Sequence, residues 1–117
     1  MTELFDGADT VIAALGRWPT FHDAEVLALF LRRVTTVDGF ADILEVVSGK
    51  VVRFRFAGLR EWGLSGFNEQ NVISELTAEA VEGDLVAVKF WPCYGVSGRV
   101  VCGRVEVSMV SRDPAPG

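Results

Sequence analysis

Residues 85–110 read LVAVKFWPCYGVSGRVVCGRVEVSMV, and this stretch decides the fold. Apolar side chains recur at every second position on both sides of a glycine-containing centre at 95–98. Such alternation places the apolar side chains on one face of a β-strand. The stretch therefore predicts a long antiparallel hairpin with one apolar face and one mixed face. Pro92 cannot donate a backbone hydrogen bond, so we expect the first strand to lie at an edge or to bulge there.

The turn at the centre of this hairpin sets the register of the two cysteines. A two-residue turn at Ser97-Gly98 places Cys93 opposite Cys102. A four-residue loop over 95–98 instead places Cys93 opposite Val100. Both registers keep the same apolar face, so the hydrophobic pattern leaves the choice open.

Charge favours the two-residue turn. It sets Lys89 opposite Glu106, whereas the longer loop sets Lys89 opposite Arg104. An opposite-charge cross-strand pair is favoured over a like-charge pair by roughly a few tenths to 1 kcal/mol. We therefore predict the register that pairs Cys93 with Cys102, whose close approach can accommodate a disulfide. In a reducing cytoplasm we expect free thiols instead.

Two stretches nearer the N-terminus also predict strands. Residues 50–57 (KVVRFRFA) alternate cleanly, with valine and phenylalanine facing the core and Arg53 and Arg55 facing water. Residues 25–34 (EVLALFLRRV) are apolar on both alternating faces, which is typical of a central strand covered on two sides or of a buried helix. The β-branched residues at 35–37 favour the strand.

Capping residues and apolar stripes predict two short helices, Asp9–Leu15 and Asn68–Leu76. Glycines indicate a turn at Asp38-Gly39 and a loop over 58–63 that carries Trp62. The fold class that follows is α+β, a mainly antiparallel β-sheet with two short helices. We expect one domain over residues 1–110 and a flexible C-terminal tail over 111–117.

Composition excludes several classes of function. The chain has 117 residues, 50% of them apolar, and a formal net charge of −5. A nucleic-acid-binding protein would carry a basic stripe to neutralise phosphates, and this sequence has none. No apolar run is long enough to span a membrane, and the N-terminus lacks the basic start of a signal peptide. We therefore expect a cytoplasmic protein that binds neither nucleic acid nor membrane.

His22 is the only histidine in the chain, and Asp23 follows it directly. One histidine without a cysteine cluster cannot make a usual structural zinc site, so we expect no metal and no cofactor. A catalytic pair would need a nucleophile, and no nucleophile motif is present. Adjacent residues on a strand also point to opposite faces. We predict that His22 is not catalytic and that it orients its turn by hydrogen bonding.

Three motifs carry a resemblance to a known family. The stretch Trp18-Pro-Thr-Phe-His-Asp-Ala-Glu-Val26 is the most distinctive in the chain. It is followed by Phe67-Asn-Glu-Gln-Asn-Val-Ile73 and by Gly95-x-x-Gly98-x-x-x-Cys102. In this order and at these spacings, over about residues 18–110, the chain resembles the immunity protein 50 family of bacterial polymorphic toxin systems.

The resemblance implies a non-enzymatic protein that binds a cognate toxin domain in the bacterial cytoplasm and neutralises it. For this role we predict contacts by Glu61, Trp62 and Glu69, because acidic loop positions and an exposed tryptophan are suited to an interface. Two alternatives stay open. One is a small-ligand-binding or enzymatic domain with a pocket near His22. The other is a protein-binding domain unrelated to toxins.

Overall fold

Seven strands form one continuous sheet in the computed structural model, which describes residues 2–111. The strands are β1 (Phe5–Asp6), β2 (Glu25–Arg33), β3 (Val37–Glu45), β4 (Lys50–Ser65), β5 (Val72–Val81), β6 (Leu85–Tyr94) and β7 (Ser97–Val110). Their order is β1-β7-β4-β3-β2-β5-β6, and β6 also pairs with β7, so the sheet closes on itself. Only the short β1 runs parallel to its neighbour among these strands. The predicted antiparallel-dominated sheet is confirmed. The predicted tail at 111–117 lies outside the described residues, apart from Ser111.

A 3-10 turn (Thr2–Leu4) and one α-helix, α1 (Ala8–Leu15), precede β2. The helix lies where the sequence predicts it, but its N-cap is Gly7 and not Asp9. Gly7 has a φ of 90°, and a Cβ there would overlap the backbone carbonyl oxygen of Val107. Asp9 lies in the first turn, where a carboxylate favours the helix dipole. The helix begins where the backbone must pass close to β7, which only glycine allows.

The core fills the inside of the closed sheet. Alternation along β4 places Val52, Phe54 and Phe56 inside, each with no exposed surface, as predicted. The Phe54 ring lies edge-on to the rings of Phe5 and Phe21, with centroids 5.6 and 5.4 Å apart. Edge-to-face packing of this kind stabilises the core by about 0.5–1.5 kcal/mol per pair beyond the burial of area.

The predicted second helix, Asn68–Leu76, is wrong. The chain has no regular secondary structure over 66–71 and then enters β5. Bulges near the start of β5 shift its register, so that Ile73 and Leu76 both lie inside the sheet. Two inward residues three positions apart imitate the spacing of a helix, and this caused the error.

The predicted turn at Asp38-Gly39 is also wrong, because both residues belong to β3 and the chain turns at 34–36. The Asp38 carboxylate accepts a hydrogen bond from the Gly58 amide at 3.1 Å and forms an ion pair with Arg55 at 3.0 Å. The Gly58 amide, followed by Arg55, holds the pKa of Asp38 below its usual value. The sequence predicted a turn because Asp-Gly is common in turns, whereas here the aspartate links β3 to β4.

The loop predicted over 58–63 is part of a strand. β4 continues to Ser65, with a bulge near Leu59. Trp62 therefore lies on a strand, half-buried, with its ring edge-on to Phe56 at 6.1 Å. Gly39 of β3 has no room for a Cβ because the Trp62 ring lies against it.

The hairpin of β6 and β7 has a register that differs from both predicted ones. Lys89 lies opposite Arg99, and Phe90 lies opposite Gly98. The two cations can lie opposite each other because each has another partner. The Lys89 ammonium lies 3.7 Å from the centre of the Trp91 ring, and Arg99 forms an ion pair with Glu61 at 3.3 Å.

The two cysteines are therefore not paired across the hairpin, so the predicted register of Cys93 opposite Cys102 is wrong. Cys102 lies opposite Val86 and is buried, whereas Cys93 is exposed near the end of β6. Both are free thiols, as predicted. Burial raises the pKa of the Cys102 thiol to about 11, so it is protonated and poorly reactive near neutral pH.

Candidate protein-binding surface

The closed sheet is interrupted between β2 and β5. These strands pair only at Glu25 with Val72, beside hydrogen bonds from the Val26 amide to the Asn71 carbonyl at 2.8 Å and from the Ile73 amide to the Ala24 carbonyl at 3.0 Å. Beyond this junction β2 pairs only with β3, and β5 pairs only with β6. Two unpaired strand edges therefore diverge from one point. We call them the β2 edge (Leu27–Arg33) and the β5 edge (Ser74–Val81).

The β2 edge is apolar and exposed. Leu27, Phe30 and Leu31 keep 41%, 54% and 47% of their surface accessible. Arg32 and Arg33 end the strand, and no carboxylate within residues 2–111 forms an ion pair with either guanidinium. An exposed strand edge with large apolar side chains is a template for pairing with another chain.

The sequence did not predict that this edge is exposed. The apolar character of both faces over 25–34 indicated a central strand covered on two sides. The structure covers only one face: Val26 and Leu29 pack against the core, while Phe30 is exposed on the other face. The signal that could have revealed an edge is the pair Arg32-Arg33, because charged residues at a strand end are common on strands that lack a second neighbour.

A shallow depression of about 330 Å³ adjoins the β2 edge on the outer face of the sheet, lined by Ala28, Phe30, Phe40, Asp42 and Arg53. The Phe30 and Phe40 rings lie 5.9 Å apart, and the Arg53 guanidinium lies 5.4 Å from the centre of the Phe40 ring. Arg53 also binds Asp42 with two hydrogen bonds, at 2.7 and 3.0 Å, which raise the pKa of Arg53. The apolar floor of the depression is thus bounded by a fixed ion pair.

The β5 edge has the opposite chemistry. Glu75 and Glu79 are exposed along it and lie opposite Trp91 and Ala87 of β6. The carbonyl of Ser74, where the edge begins, is occupied by the imidazole Nδ1 of His22 at 2.9 Å. Charged side chains and an occupied carbonyl both oppose the addition of another strand.

Asn71 holds the junction from which the two edges diverge. It is the one buried polar side chain of the described chain, with 3% of its surface exposed. Its Oδ1 accepts hydrogen bonds from the amides of Asn68 (2.9 Å) and Val96 (3.2 Å), and its Nδ2 donates to the Asn68 carbonyl at 2.7 Å. Residues 68–71 thus form a folded loop that anchors β2, β5 and the chain before β7.

His22 lies in a turn and not on a strand, so the argument that it cannot meet Asp23 is wrong. Phe21 and Asp23 have φ values of 59° and 61°, and the turn brings His22 Nε2 to 3.4 Å from the Asp23 carboxylate. Thr20, His22, Ser74 and Glu75 line an open depression there. An enzymatic or ligand-binding site near His22 would lie in this depression. The hydrogen bond to Ser74 is the ordering contact predicted for His22, and its non-catalytic role stays a prediction.

The three predicted contact residues lie on two neighbouring segments. Glu61 is on the outer side of β4, paired with Arg99, while Trp62 packs inward against Phe56. Glu69 is exposed on the following loop, two residues after the exposed Phe67. Trp62 therefore is not the projecting loop residue that the sequence predicts, although part of its surface is accessible.

Within residues 2–111 no cluster of three or more histidine, cysteine, aspartate or glutamate side chains could hold a metal ion. No helix in this part of the chain is long and apolar enough to cross a membrane. No family model, curated protein or solved structure matches the chain. The resemblance to immunity proteins therefore stays a prediction from its three motifs.

Proposed function

We propose that this protein is a non-enzymatic bacterial immunity protein, which binds a cognate toxin domain in the cytoplasm and neutralises it. The observation that carries the binding role is the β2 edge, where three large apolar side chains are exposed beside unpaired backbone groups. Exposed apolar surface of this kind marks sites of interaction with other proteins. The toxin as partner comes from the resemblance of residues 18–110.

The charge of the molecule supports a protein partner with basic surface. The formal net charge is −5, and such a charge steers a positively charged partner toward the complex. Glu61 and Glu69 are the acidic contacts proposed for that partner. Neutralisation needs only a stable complex that covers the toxin's own site, so it requires no chemistry from this chain.

The test is co-expression of the protein with the product of the adjacent gene, which we expect to carry the toxin domain. We expect the toxin domain alone to stop bacterial growth, co-expression to restore growth, and the two chains to purify as a complex. A catalytically inactive toxin domain, purified with this protein, gives the same complex if neutralisation is stoichiometric.

Two other results would redirect the proposal. If the protein restores growth without forming a complex, the enzymatic alternative near His22 gains support, and His22→Ala would then abolish the rescue. If the protein binds a partner that is not toxic, the role is that of a protein-binding domain unrelated to toxins.

A further inference from the structure

We propose that the β2 edge receives an extended segment of the partner protein, which adds to the sheet as an antiparallel strand. This inference rests on the proposed function, because the segment belongs to the proposed protein partner. It goes beyond that function by naming the surface, the backbone mode of binding and the chemistry of the segment.

The backbone of the β2 edge is available for pairing. Of the nine residues of β2, only Glu25 pairs with β5, and the Val26 amide bonds the carbonyl of Asn71 just before β5, which leaves Leu27–Arg33 without a partner strand on that side. Alternate amide and carbonyl groups of a strand point to its two sides, so half of those in this segment point into the opening. An added strand would satisfy them, and β-strand addition is a recurrent way of binding extended peptides.

The side chains specify what the added strand must carry. Phe30 is exposed on the outer face, where it lines the depression together with Phe40. Leu31, also exposed, lies on the opposite face of β2 across from Gly39. Apolar side chains on the segment would be buried there. At the far end Arg32 and Arg33 lack carboxylates within residues 2–111, so the segment should present acidic residues at that end. In antiparallel pairing this is the N-terminal end of the segment.

The same features argue against a second copy of the chain as the occupant. A two-fold pairing centred on Phe30 would set Arg32 opposite Ala28 and Arg33 opposite Leu27, so neither arginine would meet a carboxylate. Two chains of net charge −5 would also repel each other. The β5 edge cannot serve as the site, since Glu75 and Glu79 line it and His22 occupies the Ser74 carbonyl.

Hydrogen exchange measured by NMR tests the backbone mode directly. The labelled protein is compared alone and in complex with the inactive toxin domain of the adjacent gene. We expect alternate amides within Leu27–Arg33 to exchange rapidly in the free protein and at least about tenfold more slowly in the complex. A complex that leaves these amides at their free rates overturns the inference while the proposed function stands. Failure of any complex to form overturns both.

Two variants test the side chains. Phe30→Lys should weaken the complex by roughly tenfold or more, because it removes a central apolar contact. Its matched control is Val47→Lys, which alters another exposed apolar residue (83% accessible) on the turn after β3. Arg32→Glu together with Arg33→Glu should also weaken it, with Arg17→Glu together with Arg60→Glu as the control of equal charge change at exposed positions. Equal effects of the β2-edge and control variants would overturn the inference.

Sedimentation of the free protein tests the second copy. The wild-type chain should sediment as a monomer at the concentrations used for NMR. A dimer that Phe30→Lys disperses would show that the edge serves self-association, and this would overturn the inference.

Discussion

The two strand edges that border the opening in the sheet differ in every property that controls pairing. The β2 edge carries exposed Leu27, Phe30 and Leu31, and its cations lack partners within residues 2–111. The β5 edge carries Glu75 and Glu79, and a histidine occupies its first carbonyl. Both edges begin at the same junction. The difference indicates that one edge is protected against added strands and that the other is left open to them.

The contrast between the two edges determines which edge a partner segment can pair with. A segment that enters an opening with one protected side can pair on the other side only. The junction at Asn71 fixes the distance at which the edges begin, and the bulge near Leu27 turns β2 away from β5. The direction in which β2 leaves the junction is thus determined by local features of the chain, independently of any partner.

The largest expected effect comes from removing the junction. Asn71→Ala leaves the amides of Asn68 and Val96 without an acceptor, and the Val96 amide belongs to a buried residue. Unsatisfied buried groups cost about 1–3 kcal/mol each, so we expect the free energy of unfolding to fall by roughly 2–4 kcal/mol. Urea denaturation measures this change.

The matched control is Gln70→Ala, which alters the neighbouring exposed side chain and should change stability by less than about 0.5 kcal/mol. If both variants unfold at the same urea concentration, Asn71 does not hold the junction. The two edges would then owe their separation to the strands themselves.

A smaller loss of stability is expected at the start of the β5 edge, where His22 binds the Ser74 carbonyl. His22→Ala removes the hydrogen bond to the Ser74 carbonyl, and a single hydrogen bond contributes about 0.5–1.5 kcal/mol. Because His22 is exposed, we expect a loss toward the lower end of this range. His22→Asn places an amide nitrogen where Nδ1 lies and should restore part of the stability. A variant His22→Asn that is no more stable than His22→Ala would contradict this role.

The sequence predicts those features of the two edges that depend on residues close together in the chain, and it misses those that depend on residues far apart in the chain. Alternation in 50–57 correctly predicts which residues of β4 are buried, because that pattern reflects the strand's own two faces. The β2 edge was missed, since the number of neighbours of a strand is set by distant segments. The register of Lys89 was missed for a different reason: its partner, the Trp91 ring, lies two residues away on the same strand, whereas the prediction considered only charged partners across the hairpin. Bulges at the start of β5 made a strand imitate a helix.

Exchanging the chemistry of the edges sharpens the comparison further. Glu75→Val combined with Glu79→Val should make the β5 edge apolar, so we expect association that increases with concentration in sedimentation velocity. Stability of the monomer should change by less than about 0.5 kcal/mol, because both side chains are exposed. Glu82→Val, on the turn after β5, is the control and should stay monomeric. A double variant that also stays monomeric would mean that the carboxylates do not protect this edge.

The smallest expected effect concerns the acidic residues away from both edges. Glu61→Lys combined with Glu69→Lys changes the formal net charge from −5 to −1, two units for each reversal. If the partner is basic, we expect its association to slow by a few-fold at low salt and the difference to shrink as salt is added, because exposed charges act mainly on encounter and are screened. Loss of the Glu61–Arg99 ion pair, in which both side chains are about half exposed, should cost less than about 1 kcal/mol of stability.

The control is Asp9→Lys combined with Glu82→Lys, which gives the same net charge but places the changes on α1 and on the turn between β5 and β6. It therefore separates the effect of local contacts from the effect of overall charge. Stopped-flow association measured for the two double variants decides between them: equal slowing indicates overall charge alone, and an unchanged rate for the first variant removes Glu61 and Glu69 from the binding surface. Variants of the β2 edge should instead act on dissociation, since buried contacts control how long a complex lasts.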